Sequence, residues 1–286
     1  MIHGLTGVDH TAVLVRNLDQ ARDVWASLGF TLSPRGVHSA ARGTANHTIM
    51  LGTDYIELIG VIAPTEHNAP SRAFLTHGEG IERTGFRALD AHAAAAALKA
   101  NGIAVLGPQE FGRPIAFPNG RQAEARFRTF QWPPEHAPGG MRLFACQHFT
   151  PEHVWLPALQ LHVNTAQRIL QIQVLTPEPE RSAQELANLI GATEVNSDKG
   201  VFAVETSPDR AVIAYLDEAA MRRRYPATWV ADRRREGGLA LEVQVGVLIA
   251  AANETGEMIS GDRVLVPPAR ATGVILSLVA AARQDS

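Results

Sequence analysis

The chain has 286 residues, 45% of them apolar, with 26 Lys+Arg against 29 Asp+Glu and a formal charge of −3. That length suits two domains or one large one, and the near balance of charge gives nucleic acid no footing. One cysteine, Cys146, excludes an internal disulfide framework and fits a reducing compartment. The N-terminus lacks the basic-then-apolar form of a signal peptide, and no apolar run approaches the ~20 residues a membrane helix needs. The expectation is a cytoplasmic protein, with no nucleic-acid or membrane partner. The basic runs at 221–225 and 232–236 are isolated and flanked by acids, which fits a solvated surface.

In chain order, residues 8–15 form the first predicted strand. Alternation puts Val8, His10, Ala12 and Leu14 on one face and Asp9, Thr11, Val13 and Val15 on the other. Asn17 or Asp19 caps a helix whose Ala21, Val24, Trp25 and Leu28 make an apolar stripe, and Gly29 stops it. Strand-like pieces follow at FTLSPRGV, ANHTIMLG and YIELIGV, completing a β-α-β-β-β order. The order recurs from GFRALD through the alanine-rich helix at 91–100 to IAVLG, EARFRTFQW and MRLFACQHF, with an FPNG turn at 117–120. A third copy starts at ILQIQVL, and a fourth, more eroded one runs from LALEVQV to GVILSLVAA. The predicted organisation is therefore a module pair over 1–150, a connection over 151–168 packed over the pocket, and a second, degenerate pair over 169–286.

Two polar residues stand inside otherwise apolar strands, His10 in the first and Glu57 in YIELIGV. Burying either costs a few kcal/mol, on the order of 1–3 each, unless it is paired. A divalent metal answers that cost; the competing explanation is a hydrogen-bonded core histidine with Glu57 paired to Arg87 or Arg128.

The strings VDHTAVLVRNLDQARDVWASLGF, RGTANHTIMLGTDYIELIGV and CQHFTPEHVW resemble the vicinal oxygen chelate superfamily, which includes glyoxalase I, extradiol dioxygenases and fosfomycin-resistance proteins. The resemblance is nearest to its glyoxalase-like branch. It implies an α+β fold of tandem βαβββ modules, with U-shaped mixed sheets around a metal-binding cavity. Carried over residue by residue, it implies a metal held by His10, Glu57 and His148. The fourth family position falls near 84–86, where no good ligand stands. The linker departs from the branch's His-Pro-Asn-Gly-Ala string, reading His162-Val163-Asn164-Thr165-Ala166, which puts a role for His162 or Asn164 in doubt.

Two imidazoles and a carboxylate on separate strands suit Fe, Mn, Zn or Ni without choosing among them. All eleven histidines lie between His3 and His162, which points to one chemical centre in the first half. His47 is the candidate to move a proton beside Glu57, and Arg87, Arg128 and Trp155 are candidates for contacting the substrate. The expected activity is Lewis-acid lyase or isomerase chemistry on a small oxygenated molecule. Ring-cleaving dioxygenation with Fe(II) and metal-free small-molecule binding are the alternatives. With four modules in one chain, a monomer or homodimer is expected.

Overall fold

Hydrophobic alternation and helix punctuation recur four times along the chain, and a computed structural model shows four βαβββ units; it describes residues 1–117, 120–231 and 236–281. The first unit runs β1 (Leu5–Val15), α1 (Leu18–Ala26), β2 (Gly36–Val37), β3 (Thr44–Met50) and β4 (Tyr55–Val61). A connecting helix, α2 (Ala69–Thr76), leads to β5 (Gly80–Ala88), α3 (Ala91–Ala100), β6 (Leu106–Ala116), β7 (Gln122–Gln131) and β8 (Arg142–His148). The third unit is β9 (Ala166–Leu175), α4 (Pro179–Ile190), β10 (Asn196–Asp198), β11 (Val201–Val204) and β12 (Val212–Leu216). Two short helices, α5 (Glu218–Arg224) and α6 (Ala227–Ala231), precede β13 (Gly237–Val245), α7 (Leu248–Thr255), β14 (Ile259–Ser260), β15 (Arg263–Val266) and β16 (Ile275–Ala280). Pro118 and Asn119 of the predicted turn, and residues 232–235 of the second basic run, lie outside the described residues.

The strands form two eight-stranded mixed sheets, in the orders β2-β3-β4-β1-β5-β8-β7-β6 and β10-β11-β12-β9-β13-β16-β15-β14. In each, the first strands of two units pair antiparallel at the centre, β1 with β5 and β9 with β13, and each pairs parallel with the last strand of its own unit. His10 lies opposite Gly85 across that central pairing, so the inner strands of units one and two face a shared concavity. Here the fold is the tandem βαβββ architecture of the vicinal oxygen chelate superfamily.

Local chemistry sets the element ends. Asn17, the first of the two predicted caps, accepts a hydrogen bond from the Gln20 amide, and Asp90 caps α3 through the His92 and Ala93 amides. The predicted strand FTLSPRGV shrinks to Gly36–Val37, because Pro34 offers no amide to a ladder. One extended core joins the helices and both sheets, from Val8 and Trp25 through Leu98 and Ile172 to Leu278. Long-range bonds tie the halves, among them Trp25 Nε1 to Thr272 Oγ1 at 2.9 Å, the Val8 amide to Thr206 Oγ1 at 3.1 Å, and the Ile169 amide to the Asp54 carboxylate at 3.2 Å.

The two sheets differ in what covers them. In the second, Ala220, Met221, Tyr225 and Val230 of the α5–α6 segment pack on Leu175, Leu216, Ala240 and Ile275. Tyr225 Oη donates to Gln173 Oε1 at 3.0 Å, and the Gln173 amide nitrogen donates to Glu242 Oε1 at 2.9 Å. A plug of the chain's own side chains therefore fills the second half. In the first, α2 touches only one end, through Phe74 and Leu75 against Ala12, Leu14 and Ile59, and a cavity remains. No helix among the described residues is long and apolar enough to cross a membrane.

Candidate active site

The cavity of the first sheet measures about 350 Å³. Alternation along each strand decides what enters it. Strand β3 sends in Thr44, Asn46 and Thr48, and β8 sends in Arg142, Phe144 and Cys146, with His10 and Glu57 from β1 and β4.

His10 and Glu57 meet there, with Nε2 and Oε2 3.7 Å apart. The remaining polar atom of each is tied back. His10 Nδ1 lies 2.8 Å from Asp9 Oδ2, and Glu57 Oε1 accepts from Asn46 Nδ2 at 2.5 Å. The His10 ring stacks on Tyr55, with centroids 4.2 Å apart and planes 11° from parallel, and meets the edge of Phe144 at 5.0 Å. Gly85 makes room for this: a Cβ there would stand 2.8 Å from Phe144 Cζ and 2.9 Å from His10 Cε1. Burial pushes the Glu57 carboxyl up, but the interaction with His10, the Asn46 hydrogen bond and the Arg113 charge outweigh it and hold Glu57 below its ordinary value. It is a carboxylate at neutral pH.

Asp9 overturns the predicted alternation of β1. The β1–β5 register slips between Val8 and His10, and that bulge lets neighbouring residues share partners. The Asp9 carboxylate is fully buried, with Oδ1 2.9 Å from Arg87 Nε and Oδ2 2.8 Å from both His10 Nδ1 and His148 Nε2. Burial raises its pKa, yet the His148 charge and the hydrogen bonds from both histidines overcome this and keep it well below the usual carboxylate range. An ionised Asp9 can only accept, so both rings donate to it. That fixes the His10 proton on Nδ1 and turns Nε2 toward Glu57.

The predicted set His10, Glu57 and His148 is thus only two-thirds assembled. His148 spends Nε2 on Asp9 and packs against Tyr55, Phe127 and Trp155. Among the described residues, no third His, Cys, Asp or Glu joins His10 and Glu57 with all donor atoms within 4.8 Å of one another. Asp9, Cys146 and His148 do meet that distance. Asp9, however, is already answered by Arg87 and two imidazoles, which leaves little of its charge for a cation. The residues present do not fit the three-ligand metal centre that the family resemblance implies.

The other predicted contacts move as well. His47 faces away from the cavity, with Nδ1 2.7 Å from the Ser33 carbonyl, so it is not beside the reacting groups. Arg87 holds Asp9 and lies over the Trp155 ring at 4.7 Å; neither lines the cavity. Arg128 Nε donates to Glu110 Oε1 at 3.0 Å outside it. Lining arginines are instead Arg42, Arg83, Arg113 and Arg142. Sequence reasoning missed them, as it missed Asp9, His38 and Asn46. The Asp9-His10 adjacency was the one visible signal. His38, with Nδ1 2.8 Å from Thr44 Oγ1, is pushed down to about 4 by burial and stays neutral near pH 7.

His162 and Asn164 are staples. The Thr31 amide donates to His162 Nδ1 at 3.0 Å, while His162 Nε2 donates to the Met50 carbonyl at 2.9 Å. Asn164 Nδ2 reaches the Leu28 carbonyl at 2.9 Å. These residues pin the later part of the connection to the first unit outside the cavity, while Val154 in its earlier part lines the cavity.

Residues 8–190 match the family model described as a glyoxalase-like domain. Among curated proteins the sequence finds no match. A hypothetical protein from Staphylococcus aureus is similar in structure, with 13% identity and a TM-score of 0.70 over 96% of this chain and 99% of that one. A mutant of 4-hydroxymandelate synthase from Streptomyces coelicolor is similar with 11% identity and a TM-score of 0.60, over 97% and 93% of the two chains. At these identities the likeness is one of fold.

Proposed function

Because the chain belongs to the glyoxalase-like domain family, we propose that it is an enzyme that moves a proton at a carbon next to an oxygen-bearing group of a small organic substrate, a lyase or isomerase chemistry. One observation carries this reading: every polar atom of the His10–Glu57 couple is tied back except Nε2 and Oε2, which face each other across 3.7 Å on the cavity wall. In this reading Glu57 Oε2 takes the proton from carbon. His10, with one proton kept on Nδ1 by Asp9 and a second on Nε2, gives the Nε2 proton to the neighbouring substrate oxygen as charge develops there. It takes that proton back when Glu57 returns its own to carbon. Asp9 is a positioning residue, holding the Nδ1 tautomer, and Tyr55 and Phe144 keep water from one side of the couple. General acid–base groups of this kind contribute about 10²–10⁴-fold each.

The test is exchange of substrate carbon-bound hydrogen with deuterated water, followed by proton NMR over a panel of small 2-oxo and 2-hydroxy acids. Glu57→Gln should slow exchange at least about 100-fold with binding retained. Exchange untouched by Glu57→Gln and by His10→Ala would end this reading. Treatment with chelator should leave the rate unchanged. A stoichiometric metal that His10→Ala removes would instead restore the metal-dependent mechanism first expected from the sequence.

Four aromatic rings, Tyr55, Phe111, Phe127 and Phe144, line the same cavity and favour a second reading, binding without turnover. It predicts tight retention of a ligand and no exchange in any member of the panel.

A further inference from the structure

Four arginines from both units line the cavity, and they are not equivalent. Arg83 and Arg142 share one partner, the buried Glu82: Arg142 Nη1 stands 2.7 Å from Glu82 Oε1, and Arg83 bonds its other oxygen. Arg83 also donates to Ser71 Oγ at 2.8 Å. Those two are structural. Arg42 and Arg113 have no carboxylate within 4.0 Å among the described residues. Arg113 is nevertheless buried, at 8% exposure, and Arg42 lies with its guanidinium carbon 3.9 Å above the centre of the Phe111 ring. A buried guanidinium without an ion-pair partner is costly, and one such group with a second, half-buried, beside the same cavity suits an anion.

The topology brings them together. Arg42 precedes β3 in the first unit. Arg113 and Phe111 sit two residues apart on β6, hence on one face of it, in the second unit. Stacking on Phe111 holds the Arg42 guanidinium plane and leaves its N–H edge free, the arrangement that suits bidentate recognition of an oxyanion. Glu57 is the single carboxylate among the described lining residues, near enough for both arginines to feel its charge but beyond ion-pair distance, and Glu82 is already spent on two arginines.

We propose that Arg42 and Arg113 form an oxyanion subsite, and that the substrate is a small organic acid carrying two anionic groups. One group is held by this pair while the carbon beside the other is presented to Glu57. This rests on the reading of the cavity as a substrate site. A cavity of about 350 Å³ lies at the small end of ligand sites, which favours a short acid over a nucleotide. Dicarboxylates and phosphorylated acids share the required chemistry.

The test is calorimetric titration of the whole chain with glutarate, with 3-phosphoglycerate as a phosphorylated acid, and with butyrate as a small monoanion. Glutarate or 3-phosphoglycerate should bind at least 10-fold more tightly than butyrate, and the tighter of the two identifies the source of the oxyanion. Arg113→Met and Arg42→Met should each erase that preference, while Arg113→Lys should recover only part of it. Glu57→Gln should keep the preference. Arg42 is half-buried at the rim, so its variant reports even where Arg113→Met melts early. No preference in the wild-type chain, or a preference surviving both methionine variants, overturns the proposal. Dianion preference without hydrogen exchange would leave the subsite standing and fail only the proposed reaction.

Discussion

At the scale of single residues, the site depends on atoms that are fixed by what lies behind them. Asp9 is the clearest case: it touches no cavity wall, yet it decides which nitrogen of His10 faces Glu57. Replacing it by Asn keeps the shape and removes the charge that makes both histidines donors. Asp9→Asn should slow exchange, should shift the pH profile of the rate, and should cost stability because one buried oxygen remains for three donors that shared two. A rate and profile identical to wild type would deny Asp9 its positioning role. Gly85 offers a steric counterpart. Gly85→Ala puts a methyl 2.8 Å from Phe144 Cζ and 2.9 Å from His10 Cε1, so the imidazole must shift. Exchange should fall while the thermal midpoint moves by only a few degrees, a distinction that parallel rate and melting measurements make directly. His10 and Glu57 were readable in the sequence because a lone polar residue in an apolar strand stands out. Arg42 and Arg113 were not, since arginines are common and only register says which of them turn inward.

At the scale of elements, strong periodicity made the long strands and amphipathic helices legible. The short ones were not. Helices α2, α5 and α6 have five to eight residues each, too few for a clear apolar stripe, and α2 carries a proline in its first turn. The bulge in β1 was equally silent, because one slipped residue leaves the composition of a strand unchanged and alters only where its side chains point. Its effect was to bring Asp9 to His10 and to divert His148 from the predicted ligand set. The α5–α6 segment has a measurable role: Tyr225, only 4% exposed, seals the second sheet. Tyr225→Ala should cost about 3–5 kcal/mol in urea unfolding, in the range for aromatic-to-alanine changes in cores, with the exchange rate unaltered.

Across the whole molecule, the halves are joined by one continuous core and by bonds that cross it. Asp54 is the titratable member of that junction, accepting the Ile169 amide, and burial pushes its carboxyl up to about 7. A carboxyl whose folded pKa is raised binds its proton more tightly in the native state. Its contribution to stability is therefore full below the unfolded value near 4 and is lost as pH rises toward 7. Asp54→Asn should remove that fall, so the stability difference between variant and wild type should grow by a few kcal/mol, on the order of 4 at most, between pH 4 and 7. A constant difference across this range would mean Asp54 is ionised throughout. The fourfold repeat behind this architecture was legible from the sequence, whereas the unequal filling of its two sheets depended on helices too short to read. That inequality separates the selective pressures on twin halves. On the proposed function, inward-facing positions of the first half answer to a visiting molecule and to the rate at which it is transformed. Their counterparts around Gln173 and Tyr225 answer only to their fit with one another, so there a change of chemistry is tolerated wherever volume and hydrogen bonding are kept.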